Sequence, residues 1–273
     1  MNGAALRHAA ERWLVAGRAA MQVQVLAARG SVPRDAGTHM LVAADDVAGT
    51  IGGGQLELQA IAAARRRLAV GECEPRDDAI ALGPSLGQCC GGALTLRSER
   101  LTRPALAAWP AVEPRFVLQL YGAGHVGRAI VRLLEGIDCR VQWIDEREGE
   151  FPSAPSAPHI ERVCVEPVEA EVGAAPAGAN YLVLTHSHDL DLRITEAILE
   201  RGDFGYLGLI GSKTKRARFT HRFEARGIAA DTLSRITCPI GIAGIEGKEP
   251  EVIAVAVVAQ LLQRAARQKE MPR

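Results

Sequence analysis

The sequence predicts an α/β protein in which a mixed α/β domain is followed by a Rossmann-like domain with a parallel sheet. From Arg115 onwards, strand-like and helix-like segments alternate, which favours right-handed crossovers and parallel strands. Before Arg115, short alternating segments and glycine turns surround an alanine-rich helix. The 273 residues are enough for two domains of ordinary size.

The N-terminal part is predicted to begin with an amphipathic helix that ends near Gly17. Residues 21–28 alternate and predict a strand, and residues 40–44 predict a second strand after a loop. A short third strand leads into the glycines Gly52–Gly54 and a helix over 55–71. Consecutive glycines favour either a close approach of the backbone to a ligand or a tight strand-to-helix turn.

Strands predicted at 79–82 and 93–98 flank a glycine-rich loop that carries two adjacent cysteines, Cys89 and Cys90. Such thiols can bind a soft metal or act as nucleophiles, and the alternative is a turn with incidental cysteines. The spacing does not match a zinc site, since no C-x-x-C pair stands elsewhere. The other cysteines are expected to be reduced core side chains: Cys73, Cys139, Cys164 and Cys238.

Three prolines between residues 99 and 114 mark an interdomain connection, which a short helix could interrupt. The last helix, predicted over 249–268, is apolar around much of its circumference and is therefore expected to pack against the core, a domain seam or a second copy of the chain. We therefore expect these segments: a first domain at 1–100, a linker at 101–114, a Rossmann-like domain at 115–235, and a C-terminal loop and helix at 236–273.

The Rossmann-like part opens with a glycine turn in the G-x-G-x-x-G spacing, made by Gly122, Gly124 and Gly127. The turn follows a predicted strand and opens a predicted helix, and Asp145 ends the next strand, as in dinucleotide-binding units. Gly124 would let backbone N–H groups approach a phosphate, which the helix N-terminus also favours. The alternative is a Rossmann fold that has lost its ligand.

The segment LTHSHDLDL follows a strand that is expected to lie beside the first strand of this sheet. His186 and His188 would then project from the carboxyl edge, where ligands of open α/β sheets bind. The H-x-H-x-D-H pattern of metallo-hydrolases fails, because Leu190 and Asp191 stand where aspartate and histidine are needed. Ligand-contacting histidines are favoured, and a helix cap by Asp189 or Asp191 is the alternative.

A later strand, over 206–211, ends in Gly211 and Ser212 and leads into a basic helix over 213–227. Gly-Ser at a helix N-terminus can hold an anion, and Lys213 would add charge. The remaining basic residues are equally well explained as a solvated helical face: Lys215, Arg216 and Arg218.

The composition excludes some partners. The formal net charge is +0 and aromatic residues make up 4%, which argues against a nucleic-acid or anionic-membrane surface. No apolar run approaches the ~20 residues of a membrane span, and the N-terminus is unlike a signal peptide. We therefore expect a cytoplasmic protein.

Seven motifs occur in the order found in the XdhC/CoxI family, over roughly 23–263: ARGSVPRDAGTHMLV, GTIGGGQLE, LGPSLGQCCGG, YGAGHVGRAI, LTHSHDLD, YLGLIGSKTKRARF and CPIGIAGIEGKEPEVIAVAV. The chain therefore resembles this family, and the second and third motifs are similar to those of the XdhC branch, the xanthine dehydrogenase accessory proteins. The other branch commonly has a cysteine where Gln55 stands here.

The resemblance implies a chaperone for the molybdenum cofactor, a molybdopterin with a phosphate and a dithiolene, rather than an enzyme. Such a protein holds the cofactor while a cysteine desulfurase helps to add the sulfido ligand, and then delivers it to apo xanthine dehydrogenase. The cofactor's anionic end suits the glycine turn at Gly122–Gly127 or Gly211–Ser212. Its metal end suits Cys89 or Cys90.

With this resemblance, one ligand is expected to reach both parts of the chain, and its polar edge is expected to meet the histidines. The candidate cofactor-binding residues are Gly52, Gly53, Gly54, Gln55, Gln88, Cys89, Cys90, Gly122, Gly124, His125, Gly127, Asp145, His186, His188, Gly211 and Ser212.

Two rival functions remain open. In an NAD-dependent oxidoreductase, Asp145 would receive a ribose hydroxyl and a histidine would donate a proton. That function leaves the two adjacent cysteines without a role. In a docking scaffold, the chain would join two proteins without touching the cofactor.

Overall fold

The computed structural model describes residues 1–72, 74–82 and 91–270. Contacts between Cα atoms divide the chain into two units, Met1–Val112 and Glu113–Arg273. The predicted fold class is confirmed, since a mixed α/β unit is followed by a Rossmann-like unit with a parallel sheet.

The N-terminal unit is an antiparallel sheet with helices on both faces. Its elements are α1 (Gly3–Val15), β1 (Ala20–Arg29), β2 (His39–Ala43), β3 (Val47–Gly49), α2 (Gly54–Val70), β4 (Arg76–Ala81), β5 (Ala93–Arg100) and α3 (Arg103–Ala107). The five strands lie in the order β3-β2-β1-β5-β4, and all neighbours are antiparallel. The predicted helices and strands of this unit are confirmed.

Strand β2 shows why this sheet is covered on both sides. Met40 and Val42 pack in one cluster with Leu56 of α2. Leu41 and Ala43 pack in the other cluster, which includes residues of α1 and α3. Because successive side chains of a strand point to opposite faces, a strand that is buried along its whole length needs a cover on each face.

The C-terminal unit is a parallel sheet between helices. Its elements are β6 (Val117–Tyr121), α4 (His125–Leu134), β7 (Arg140–Asp145), β8 (Ile160–Cys164), β9 (Asn180–Val183), α5 (His188–Arg201), β10 (Tyr206–Leu209), α6 (Lys213–Ala225), α7 (Ala230–Ser234), β11 (Ile236–Thr237) and α8 (Pro250–Glu270). Two 3₁₀ segments, Glu148–Glu150 and Val168–Ala174, lie beside β8 in the sequence. Sequence reasoning missed α7 and β11, which are short.

The six parallel strands lie in the order β11-β10-β9-β6-β7-β8. Strand β9 pairs with β6, as predicted, and the chain order reverses between these two strands. The carboxyl edge beside this reversal is where ligands of open α/β sheets bind. Helix α8 packs against α4, with Ala254 and Val257 fully buried, which confirms that the last helix has an apolar partner.

Candidate functional site

The turn after β6 and the first turn of α4 each contain one position that only glycine can occupy. Gly122 has φ +121°, and a Cβ there would lie 2.4 Å from the carbonyl oxygen of Leu184. A Cβ at Gly127 would lie 2.1 Å from the carbonyl oxygen of Gly122. Trp143 also donates from Nε1 to this oxygen, at 3.0 Å. The backbone is therefore held tightly folded at the start of α4.

Gly124 has a different role, because it leaves the N-terminus of α4 open. It is the N-cap residue, no side chain caps the helix, and a Cβ there would meet nothing within 4 Å. The next residue, His125, is exposed. By contrast, α5 is capped by Ser187 and α6 by Ser212. An open helix N-terminus at the sheet's carboxyl edge attracts anions through its N–H groups and the helix dipole.

Asp145 is turned inward and supports this turn. It is 5% exposed, and its carboxylate accepts from the backbone N–H of Ala123 at 2.7 Å. It also accepts from the backbone N–H of Arg147 at 2.9 Å and from that residue's guanidinium at 3.0 Å. Burial raises the Asp145 pKa, but these hydrogen bonds outweigh it and leave the pKa below its ordinary value. A ribose hydroxyl would compete with donors that are already in place.

Two residues that follow the strands on either side of β6 meet beside the turn. The Nε2 of His186, after β9, lies 3.6 Å from Oε1 of Glu146, after β7. Strand β6 lies between these two strands in the sheet. Cys164, at the end of β8, is exposed, and its Sγ lies 3.7 Å from the Glu146 carbonyl oxygen. The expectation that Cys164 is a core side chain is therefore wrong, because β8 is an edge strand whose last residue reaches solvent.

A cavity of about 370 Å³ lies at the carboxyl ends of β9 and β10. It brings four of the predicted site residues together: His186, His188, Gly211 and Ser212. The remaining walls come mainly from the first turn of α5 and from the first three turns of α6.

A buried ion pair forms one wall of this cavity. Asp191 is 1% exposed and accepts from the backbone N–H and hydroxyl of Thr185, at 2.9 and 2.7 Å. Lys215 Nζ donates to Asp191 at 2.5 Å and to the Ile210 carbonyl at 2.8 Å. Lys215 therefore does not lie on a solvated face, and Asp191 does not cap α5, since Ser187 does. The spacing of residues along the chain gave no sign that Asp191 pairs with a lysine.

The glycines before α2 form a closed turn. The carboxylate of Glu57 accepts from the backbone N–H groups of Ile51 at 2.9 Å and Gly53 at 3.1 Å, and from the hydroxyl of Thr50 at 2.5 Å. A Cβ at Gly52 would lie 2.4 Å from Cβ of Pro33. The tight-turn interpretation of Gly52–Gly54 therefore has the stronger geometric support. Sequence reasoning missed Glu57, although its position in the first turn of the helix was a usable signal.

Gln88, Cys89 and Cys90 lie outside the described residues, in the segment between β4 and β5. Gln55 is exposed at the start of α2. Across residues 1–72, 74–82 and 91–270, no group of three histidine, cysteine or acidic side chains is arranged to hold a metal ion. In the same residues, no helix has the length and apolarity required to span a membrane.

Two family models match the chain. The model of the XdhC Rossmann domain covers residues 118–261, and the model of the XdhC and CoxI family covers residues 13–76. The chain belongs to the XdhC and CoxI family. The resemblance inferred from the motifs is thereby confirmed. Because this is a family of accessory proteins, membership supports an accessory role.

Two similar proteins extend this result. The uncharacterized protein YqeB of Escherichia coli is 32% identical over 250 residues, which are 88% of this chain and 42% of YqeB. The chain thus spans less than half the length of that relative. A structure described as a xanthine dehydrogenase from Bacillus halodurans matches with a TM-score of 0.75 and 19% identity, over 97% of each chain. At that identity, the match supports the fold alone.

Proposed function

We propose that this XdhC-family protein binds the molybdenum cofactor, holds it during sulfuration and delivers it to a xanthine dehydrogenase-type enzyme. The observation that carries this proposal is the open N-terminus of α4, which stands at the reversal of strand order with no side chain to cap it. A phosphate-bearing ligand fits such a place, because N–H groups and the helix dipole favour an anion there.

The residues around this turn fit the polar part of the cofactor. Gly124 leaves room for a phosphate beside the backbone, and exposed His125 follows it. His186 reaches the same edge, with its Nε2 3.6 Å from Oε1 of Glu146, and a ring N–H of an imidazole can donate to a ligand atom. In this arrangement Asp145 holds the turn through Ala123 rather than contacting the ligand.

The molybdenum end remains assigned to Cys89 or Cys90, with Gln88 beside them. Soft thiolates are suitable ligands for molybdenum or shields for its sulfido group. Replacing each cysteine singly by alanine and measuring molybdenum retained per chain tests this assignment. Full retention in both variants would remove it.

The proposed partners are an apo xanthine dehydrogenase and a cysteine desulfurase, in the cytoplasm, where thiols stay reduced. A homodimer also remains a proposal. Co-purification of each tagged partner with this chain, and sedimentation of the chain alone, measure these associations.

The anion end is tested by Gly124→Ala, which adds a methyl group that touches nothing else in the protein. The protein is purified from a host that makes the cofactor, and molybdenum and oxidised-pterin fluorescence are measured per chain. We expect at least a tenfold loss of both, and an unfolding midpoint that is unchanged when the variant and the wild type are compared without cofactor. Gly173→Ala is the matched control, because a Cβ there also meets nothing within 4 Å. Undiminished retention in Gly124→Ala would contradict the proposal.

An NADH titration followed by fluorescence separates the proposal from the oxidoreductase alternative. Tight NADH binding by a protein that carries neither molybdenum nor pterin would favour the oxidoreductase. A scaffold would show a different pattern. Both partners would still bind the variants Gly124→Ala, Cys89→Ala and Cys90→Ala. Neither the wild type nor any variant would carry the cofactor.

A further inference from the structure

We propose that the cavity at the ends of β9 and β10 is an oxyanion site in its own right, which takes a phosphate-type group through Arg218 and Arg222. This site differs from the open N-terminus of α4, which lies after β6. The inference does not depend on the identity of the ligand held there.

One face of α6 carries the cations. Lys215, Arg218, Phe219 and Arg222 all line the cavity, at a spacing of three, four and seven residues from the first. Residues at this spacing lie on one side of a helix. Of the three residues for which the sequence also allowed a solvated face, Lys215 and Arg218 line the cavity and Arg216 does not; both arginines are exposed.

The charge balance of the lining favours an anion. The ammonium of Lys215 is neutralised by the carboxylate of Asp191. The remaining formal charges are one negative, at Asp189, against two positive, at Arg218 and Arg222. Within the described part of the chain, neither arginine forms an ion pair. Both keep their guanidinium donors for an incoming ligand, and guanidinium groups bind carboxylate and phosphate groups in a bidentate way.

The cavity also suits an oxyanion through the helix ends that line it. The first turns of α5 and α6, each capped by a serine, both line the cavity, and their helix dipoles add positive potential. Lys215 donates to Asp191 and Ile210, and its Nζ lies 5.3 Å from the centroid of the Phe219 ring, so its ammonium is held by the wall of the cavity. Among the described residues, the histidines and aspartates here do not form a group arranged to hold a metal ion.

The test is a titration with inorganic phosphate. Sodium phosphate replaces sodium chloride step by step, so that the ionic strength stays constant. Binding is measured by calorimetry and by the thermal unfolding midpoint. We expect saturable binding and a rising midpoint for the full-length protein. The double variant Arg218→Gln and Arg222→Gln is expected to bind phosphate at least about tenfold more weakly.

The matched control is the double variant Arg132→Gln and Arg267→Gln, which removes the same charge from exposed positions of α4 and α8. It should keep the wild-type affinity. Absence of saturable phosphate binding in the wild type overturns the inference, and so does equal weakening in both double variants. Molybdenum content is not a readout here, so failure of the proposed function and failure of this inference are separable.

The source of the anion is found by comparing protein from a host that makes the cofactor with protein from a host that cannot. Weaker phosphate binding in the first sample means that the bound cofactor's own anionic group occupies the site. Equal binding means that a separate phosphate compound is the ligand. Both results support the site and differ only in its occupant.

Discussion

Two glycine turns in this chain each start a helix, yet one is closed and the other is open. Before α2, the N-cap is Gly53, and four residues later Glu57 returns its carboxylate to the turn. Before α4, the N-cap is Gly124, and the residue four positions later is Arg128. A carboxylate at this position satisfies the backbone N–H groups from within, whereas an arginine leaves them for a ligand.

Arg128 is also directed away from the turn. Its guanidinium pairs with the Glu150 carboxylate at 2.6 Å and donates to the Glu150 carbonyl at 2.9 Å. The comparison teaches that a run of glycines does not by itself mark a ligand site. The side chain one turn into the helix decides whether the amide groups are occupied.

The largest effect is expected for Gly127→Ala, because the new Cβ would lie 2.1 Å from a backbone oxygen of the turn. The backbone must move, and we expect a loss of about 3 kcal/mol in the free energy of unfolding. Urea unfolding measures this loss. Gly173→Ala, with open space around its Cβ, should change it by less than about 0.5 kcal/mol. A wild-type value for Gly127→Ala would mean that the turn is not tightly packed.

Glu57→Ala should destabilise the protein by about 2 kcal/mol, since it removes the acceptor for two backbone N–H groups and one hydroxyl. Without this carboxylate, the N–H groups of the turn before α2 would be left open, as they are in the turn before α4. The thermal midpoint of the variant, compared with Glu11→Ala on the exposed side of α1, measures the effect. If both variants match the wild type, the first turn is not held by its carboxylate.

Acid should reveal the inward role of Asp145. Its pKa is lower in the folded protein than its ordinary value, so the carboxylate stabilises the fold above roughly pH 4 and that stability is lost as the pH falls through the folded pKa. We expect Asp145→Asn to cost about 1 to 2 kcal/mol at pH 7 and to flatten the decline below roughly pH 4. Unfolding midpoints at a series of pH values measure this. If the midpoint of the variant falls with pH as steeply as that of the wild type, the acid sensitivity arises from other groups.

The smallest change in stability is expected for Arg128→Glu, about 0.5 kcal/mol, because the lost pair with Glu150 is partly exposed. Its effect on the cofactor should be larger, since the new carboxylate would compete for the amide groups of the open turn. Arg128→Gln loses the same pair without adding an acid and is the matched control. Equal cofactor retention in the two variants would show that a carboxylate at position 128 does not close the turn before α4.

Much of the fold could be predicted from local patterns. Period-two and period-3.6 runs predicted most strands and helices, and the alternation after Arg115 predicted the parallel sheet. The pairing of β9 with β6 followed from the order of elements. The short α7 and β11 were missed, because five and two residues are too few to show a period.

The candidate site was only partly predictable. His186, His188, Gly211 and Ser212 were expected at the carboxyl edge, and the cavity does collect them. The burial of Lys215 was not foreseen, since its partner on α5 lies 24 residues away in sequence. Long-range ion pairs of this kind carry no signal in local spacing.

The sequence by itself determined where the backbone can turn, since steric limits on φ are local and only glycine escapes them at Gly122. It also determined the order of strands and helices, and through its motifs the family. Tertiary structure alone decided which charges meet, because Asp191 and Lys215 come together only when β9 and β10 pair and bring α5 and α6 to one edge. Local sterics act over a few residues, whereas burial and charge pairing depend on segments that only the folded sheet makes neighbours.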